Sequence, residues 1–151
     1  MLSKRAKYGL RALVYLARHQ GEGPIQIREI SEKLNIPRKF LEAILLDLRN
    51  EGMLQSRKGK EGGYLMERSP DTITLGKVIR FIDGPLAAVP CVSQTSYARC
   101  DDCPDERGCV IRWIMKDVRD ATARILDEAT LDQLVTKDLQ LNAEPALEYQ
   151  I

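Results

Sequence analysis

The chain has four cysteines, Cys91, Cys100, Cys103 and Cys109, and all of them fall within residues 91–109 of a 151-residue sequence. Their spacing is C-x8-C-x2-C-x5-C. Thiolates gather in this way when they bind one soft metal centre or exchange a disulfide. Because thiols stay reduced in the cytosol, where we expect this chain to reside, the grouping predicts metal or redox chemistry rather than structural disulfides.

Several kinds of occupant fit this stretch. Four thiolates can hold a [2Fe-2S] or a [4Fe-4S] cluster, and the spacing does not decide between them. Zinc also accepts four thiolates, but its structural sites usually have two short cysteine pairs, and here only Cys100-x2-Cys103 is short. A metal-free switch would oxidise Cys100 and Cys103 to a disulfide. The cysteines could also bind nothing.

Outside the cysteines, the sequence offers little for catalysis. Its one histidine, His19, is predicted at the end of a helix, far along the chain from the thiols. No serine has an evident base nearby, so the sequence offers no residues for acid–base or acyl-transfer catalysis. We therefore expect a protein that is not an enzyme.

Composition and net charge indicate the cellular compartment of the protein and the kind of molecule that it binds. No apolar run approaches the roughly 20 residues that span a bilayer, and Arg11 and Arg18 interrupt the N-terminal apolar segment, so we expect a cytoplasmic protein without membrane contact. The net charge of +1 hides a division, because residues 1–60 carry 13 Lys and Arg against 6 Asp and Glu, whereas residues 61–151 carry 10 against 16. The basic half suits a polyanion such as DNA.

Hydrophobic periodicity organises the first half of the chain. Apolar residues at three- and four-residue steps predict helices over 3–19, 27–34 and 37–50, and two strands over 53–57 and 64–67 flank a glycine-rich tip. This order is typical of a winged helix-turn-helix, so we expect a mostly α fold with a small β-hairpin wing. The inner face of the third helix is predicted to hold Phe40, Leu41, Ile44, Leu45 and Leu48.

Charged side chains lie where such a fold meets DNA. The third helix offers Arg38, Lys39 and Glu42 on its outer N-terminal side, and Glu42 could accept a hydrogen bond from a cytosine amine. Any of them could equally be a solvated surface residue. The hairpin adds three cations for phosphates or the minor groove: Arg57, Lys58 and Lys60.

The second half is predicted to connect to a partner. A short helix over 75–82 leads through the cysteine loop to a long amphipathic helix over 110–129, in which Trp113 is expected to be a core residue. A second copy of the chain would cover the apolar stripe of this helix most simply, although the helix could instead pack back on its own domain. The predicted organisation is a DNA-binding domain at 1–83, a sensor loop at 84–109, dimerisation helices at 110–139 and a loose tail at 140–151.

Six segments resemble the Rrf (type two) family of bacterial winged-helix transcription regulators, with its IscR-like, NsrR-like and CymR-like members. They are KYGLRALVYLA at 7–17, ISEKLNI at 30–36, FLEAIL at 40–45, LRNEG at 48–52, GGYL at 62–65 and ITLGKVI at 73–79. The resemblance covers about residues 1–135. It implies a homodimer joined through the long C-terminal helix, a winged helix that reads DNA, and often a cluster-binding cysteine loop.

The chain departs from the family's ligand pattern. The three usual cysteines match Cys91, Cys103 and Cys109, but the histidine that completes the IscR-like set is replaced by Arg112. The N-terminal aspartate of the NsrR-like set has no carboxylate counterpart in the region of residues 7–8. Cys100, which is additional to the family's three, is therefore our candidate for the fourth ligand.

Together these features predict a homodimeric regulator that binds a palindromic promoter operator in double-stranded DNA. Its DNA affinity is predicted to depend on a redox-sensitive iron–sulfur cluster in the cysteine loop. One alternative is a cluster-free regulator that senses thiol oxidation, a metabolite or a protein partner. Another is an iron–sulfur electron carrier.

Overall fold

The computed structural model describes residues 2–143, which form six α-helices and one two-stranded antiparallel sheet. The strands pair with Leu54 opposite Met66 and Arg57 opposite Gly63. The fold is therefore mostly α with a small hairpin, as predicted. The elements in chain order are α1 (Lys4–Arg18), α2 (Ile27–Leu34), α3 (Arg38–Asn50), β1 (Leu54–Arg57), β2 (Gly63–Met66), α4 (Leu75–Asp83), α5 (Val110–Glu128) and α6 (Leu131–Ala143).

One hydrophobic core holds the helices and the hairpin together. Leu13 of α1, Leu41 and Leu45 of α3 and Met53 before β1 are fully buried in it. Leu131 of α6 belongs to the same core, and its backbone N–H donates to the Ile73 carbonyl oxygen at 2.8 Å. The chain therefore returns after α5 to close the core of its N-terminal half.

Local sequence signals fix the ends of the helices. Thr74 caps α4 by accepting a hydrogen bond from the Lys77 backbone N–H at 3.2 Å. Thr130 and Gln133 form a reciprocal capping box at the start of α6, with bonds of 3.2 and 3.3 Å. Asn35 adopts a left-handed conformation (φ 51°) that ends α2 and turns the chain into α3.

The long helix α5 has no buried residue within the described chain. An amphipathic helix normally buries its apolar stripe, so this exposure needs an explanation. The helix contacts α4 and the short 3-10 turn Pro90–Val92, and both contacts leave the stripe open. Its exposed large apolar residues are Val110, Ile111, Trp113, Ile114, Val118 and Ile125.

Two residues expected in the core are on the surface. Phe40 is 63% exposed, because the buried face of α3 is set by Leu41, Ile44 and Leu45, and Phe40 lies about 100° around the helix from Leu41. Trp113 is 69% exposed because it lies on the open face of α5. Both predictions of burial were wrong.

The C-terminal helix is longer than its predicted end near Leu139 and continues to Ala143. The predicted loose tail, 140–151, therefore overlaps α6 over residues 140–143, and its remainder, 144–151, lies outside the described residues. Across residues 2–143, no helix is both long and apolar enough to cross a membrane.

Candidate functional site

A groove of about 460 Å³ lies between the start of α2, the start of α3 and the hairpin. Arg38 from α3 and Arg57 and Lys58 from the hairpin all line it. Residues separated by the whole of α3 in the sequence thus face one concave surface. Concentrated positive charge in a concave surface is the electrostatic footprint of a polyanion site.

The other three predicted DNA residues lie around this groove rather than in its lining. Lys39 and Lys60 are exposed beside it, at the start of α3 and at the hairpin tip. Glu42 accepts a hydrogen bond from Arg38 Nε at 3.0 Å, one turn along α3, and both side chains are largely exposed. In the absence of DNA, Glu42 therefore orients Arg38. A nucleotide base that forms a hydrogen bond with either side chain must break this ion pair.

Backbone bonds hold the hairpin against the helices. Ile25 and Tyr64 exchange two hydrogen bonds, at 2.9 and 2.8 Å, and the Gln26 side chain donates to the Lys60 carbonyl oxygen at 2.9 Å. Gly63 (φ 151°) allows this approach, because a Cβ there would lie 2.2 Å from the Ile25 carbonyl oxygen. The wing is consequently fixed in position relative to α2 and α3.

Two arginines of this groove, Arg28 and Arg49, were missed by the sequence reasoning. Arg28 forms an ion pair with Glu32 at 2.9 Å, which raises the pKa of Arg28, and Arg49 donates to Ser56 Oγ at 3.3 Å. Arg49 lies three turns from the N-terminal end of α3, where base-reading residues were sought. A helical-wheel projection of α3, together with the position of the hairpin beside that helix, would have identified Arg49.

All four cysteines line a second cavity, of about 500 Å³, at the start of α5. Cys91 is buried in the 3-10 turn Pro90–Val92, and the other three are partly exposed. Cys109 precedes α5 as its N-cap, and its sulfur accepts the Arg112 backbone N–H at 3.4 Å. A helix N-terminus favours a negatively charged group, so this position suits a thiolate.

Within the cavity, the surroundings of the Cys100 thiol raise its pKa. Hydrogen bonding with the Cys91 thiol is the largest cause that raises the pKa of Cys100, followed by desolvation. Cys103 is connected to Cys100 through the backbone, because its N–H donates to the Cys100 carbonyl oxygen at 3.1 Å. The Cys100 and Cys103 pair considered from the spacing is thus joined by a backbone hydrogen bond, while Cys91 has the largest effect on the pKa of Cys100.

The cavity has features that suit an anionic iron–sulfur group. Its thiols are the ligands that such clusters prefer. Arg112 lines the same cavity, and its Nε is buried without a hydrogen-bond partner among the described residues. A buried guanidinium nitrogen normally has an acceptor, so an anionic group beside it would supply one. Across residues 2–143, however, no three histidine, cysteine or acidic side chains are close enough to hold a single metal ion.

The sequence profile of the Rrf2 family, described as "Iron-dependent Transcriptional regulator", matches residues 2–137. The chain belongs to this family. An Rrf2-like HTH-type transcriptional regulator of Rhodobacter capsulatus is 38% identical over 138 residues, which cover 89% of this chain and 92% of the relative.

Solved structures agree with the family assignment. CymR, the global cysteine regulator of B. subtilis, superposes with a TM-score of 0.76 at 32% identity, covering 91% of this chain and 97% of CymR. IscR of T. potens has a TM-score of 0.75 at 26% identity, covering 96% and 93%. The relatives are named as transcriptional regulators, which confirms that this chain is not an enzyme.

In this Rrf2 chain, side-chain contacts connect the cysteine loop to the winged helix through α5. Arg119 of α5 donates to the carbonyl oxygen of Val92, the neighbour of Cys91, at 2.6 Å. Two turns further along α5, Asp127 receives two hydrogen bonds from Arg80 of α4, at 2.6 and 2.9 Å. This pairing lowers the pKa of Asp127 and raises that of Arg80. These contacts join the turn that holds Cys91 to α4 through α5.

Proposed function

We propose that this chain is a homodimeric transcription regulator whose operator affinity is controlled by an iron–sulfur cluster held in the cysteine loop. The observation that carries the proposal is a cavity at the start of α5, lined by all four cysteines and by Arg112, whose buried Nε has no hydrogen-bond partner within residues 2–143. That helix contacts α4 of the winged helix. The proposed input site therefore lies at the start of a helix that packs against the winged helix.

For DNA, we assign direct contact to the N-terminal turn of α3 and to the wing. Arg38, Lys39 and Glu42 would face base edges in the major groove, as the first residues of recognition helices do. The wing cations Arg57, Lys58 and Lys60 would contact phosphates or the minor groove. The basic groove between these two elements supports the assignment.

We assign the dimer contact to α5. Six large apolar residues lie exposed along it, and a second copy would cover them with an identical stripe. Two winged helices held by one such contact would reach half-sites about one helical turn apart in a palindromic operator. On this basis residues 1–83 read DNA, residues 84–109 sense, and residues 110–139 include the dimer contact.

For the cluster, we assign Cys91, Cys103 and Cys109 as ligands and Cys100 as the fourth. A bound cluster would supply one-electron redox chemistry and sensitivity to oxidants. The protein's own contribution is the four thiolates, the N-terminus of α5 at Cys109 and the positive charge of Arg112. A cluster spreads its thiolates over two or more irons, so it suits loosely spaced thiols better than one tetrahedral zinc ion does.

Anaerobic purification tests the proposal. Visible sulfur-to-iron absorption, with iron and sulfide in equal amounts, is expected. If Cys100 is a ligand, Cys100→Ala should lose most of the cluster. Cys103→Ala, which removes another assigned ligand, is the positive control for that loss. Absence of iron and sulfide from the anaerobic protein would contradict the cluster assignment, whereas a full cluster in Cys100→Ala would contradict only the fourth ligand.

A cluster-free thiol regulator is the second candidate. It is favoured by the four free thiols that line one cavity and by the likeness to CymR, the global cysteine regulator of B. subtilis. Reduced, iron-free protein that binds its operator, and releases it on oxidation, would favour this candidate. Both candidates use the same DNA interface and the same dimer.

A further inference from the structure

A third groove, of about 580 Å³, lies between α1, the C-terminal end of α2 and α6. It shares no lining residue with the basic groove or with the cysteine cavity. Small-molecule sites in proteins have volumes of about 300–1,000 Å³, so this groove has the size for a small ligand. One face of α6 forms a wall of it, as the helical spacing of the α6 lining residues shows: Leu134, Lys137, Asp138, Leu141 and Asn142.

The floor of the groove is apolar. Leu10 and Val14 lie one turn apart on α1, Leu34 ends α2, and all three are half-buried against the hydrophobic core. Leu134 of α6 is half-buried as well, and Leu141, two turns further along α6, is 61% exposed. An apolar body in the groove would remove these side chains from water, which contributes about 25 cal/mol for each Å² covered.

The rim of the groove is basic. Its lining has four cations and one acid, namely Arg11, Arg18, Lys33, Lys137 and Asp138. Asp138 is paired with Arg18 at 2.8 Å and offsets that arginine. The other three cations have no ion-pair partner within residues 2–143. Four cations against one acid give the lining a net charge of +3, which attracts an anion.

Arg11 and Lys33 mark the place of an anionic head group. Arg11 Nη2 donates to the Leu34 carbonyl oxygen at 2.6 Å, which holds the guanidinium at the end of α2. Lys33 is the neighbour of Leu34 in the sequence. A guanidinium has five N–H donors, and its fork matches the two oxygens of a carboxylate. The apolar floor and this pair of cations together describe a ligand with an apolar body and a negative head.

We propose that the groove between α1, α2 and α6 binds a small amphipathic anion, an apolar chain that carries one carboxylate. The chain lies on the apolar floor, and the carboxylate accepts from Arg11 and Lys33. The ligand touches Leu34, which directly precedes the left-handed Asn35 in the turn between α2 and α3. This site goes beyond the proposed function, because it needs neither iron nor the α5 contact.

Titration calorimetry of the full-length protein with decanoate tests the site. Decanoate is added below its critical micelle concentration, and decanol, which has the same chain without the charge, is titrated in parallel. We expect saturable binding of decanoate, and binding of decanol that is weaker by at least about tenfold, because the alcohol lacks the charged head. Absence of decanoate binding, or equal affinities for the two compounds, would overturn the proposal.

Matched variants locate the ligand. Leu141→Asp should weaken decanoate binding at least about tenfold, whereas Leu139→Asp, at an exposed leucine of α6 outside the lining, should leave it unchanged. Lys33→Gln should weaken it about threefold to fivefold, whereas Lys7→Gln, at an exposed lysine of α1 outside the lining, should not. All four positions are exposed, so the variants leave the hydrophobic core intact.

Two further results would overturn the proposal. Decanoate that lies on the exposed stripe of α5 instead would bind all four variants with equal affinity. Decanoate that binds only after residues 144–151 are removed would assign the groove to the C-terminal segment of the chain itself.

Discussion

The wing cations give a prediction whose size follows from the structure. Arg57 and Lys58 are exposed, line the basic groove and have no ion-pair partner among the described residues. Each cation that neutralises one phosphate contributes about 0.9 to the slope of log affinity against log salt. The double variant Arg57→Ala/Lys58→Ala should therefore reduce the slope by about 1.8 per wing, and by about 3.6 for the two wings of the proposed dimer.

The same arithmetic sets the expected loss of affinity. Between about 50 and about 200 mM salt, a slope difference of about 3.6 corresponds to a difference of roughly a hundredfold in the loss of affinity. The wild type should therefore lose about a hundredfold more affinity than the variant over this range. Fluorescence anisotropy with a duplex of arbitrary sequence suffices, because phosphate contacts carry no sequence information. The matched control, Lys116→Ala/Arg124→Ala, removes two exposed cations from α5. Equal slopes for the wing variant and the wild type would refute the phosphate contacts.

Three further predictions concern the core, the dimer and the α4–α5 contact. Leu131→Ala should reduce the free energy of unfolding by about 2–5 kcal/mol in urea titrations, whereas exposed Leu139→Ala should change it little; equal effects would contradict the place of α6 in the core. Ile125→Asp should convert the dimer to monomer in sedimentation velocity, and an unchanged dimer would exclude the α5 interface. Pairing with Arg80 lowers the pKa of Asp127, so its stabilisation is present above about pH 4 and lost on acidification. Asp127→Asn should remove that pH dependence from the free energy of unfolding. The change should be about 1 kcal/mol or less, because both side chains are partly exposed. An unchanged curve of stability against pH would contradict the pairing.

The order of helices and strands could be predicted from sequence because each signal is local. Thr74 and the Thr130–Gln133 box act over three residues, and the apolar faces repeat over one or two turns. Exposure could not be predicted in the same way. Phe40 is apolar and lies next to a buried residue, but only the direction of α3 relative to its neighbours decides that it faces solvent.

The candidate sites show the same limit. Sequence spacing found every cysteine, but it could not show that Cys91, which is distant from the other three along the chain, lines the same cavity. That arrangement depends on how the loop folds back, and one of its contacts is the hydrogen bond from the Ala98 N–H to the Pro90 carbonyl oxygen. Arg49 was missed for a similar reason, since it lines the basic groove only because the hairpin returns past the end of α3.

If the cysteine loop holds an iron–sulfur cluster as proposed, the cluster would take up the thiol of Cys91 in the 3-10 turn Pro90–Val92. Cys91 is followed directly by Val92, whose carbonyl oxygen accepts a hydrogen bond from Arg119 of α5. One proposed ligand therefore lies next to a contact with α5, and α5 is joined to α4 through Asp127 and Arg80. Cluster binding can shift DNA affinity through these contacts only as far as its free energy differs between the arrangement that binds DNA and the arrangement that does not.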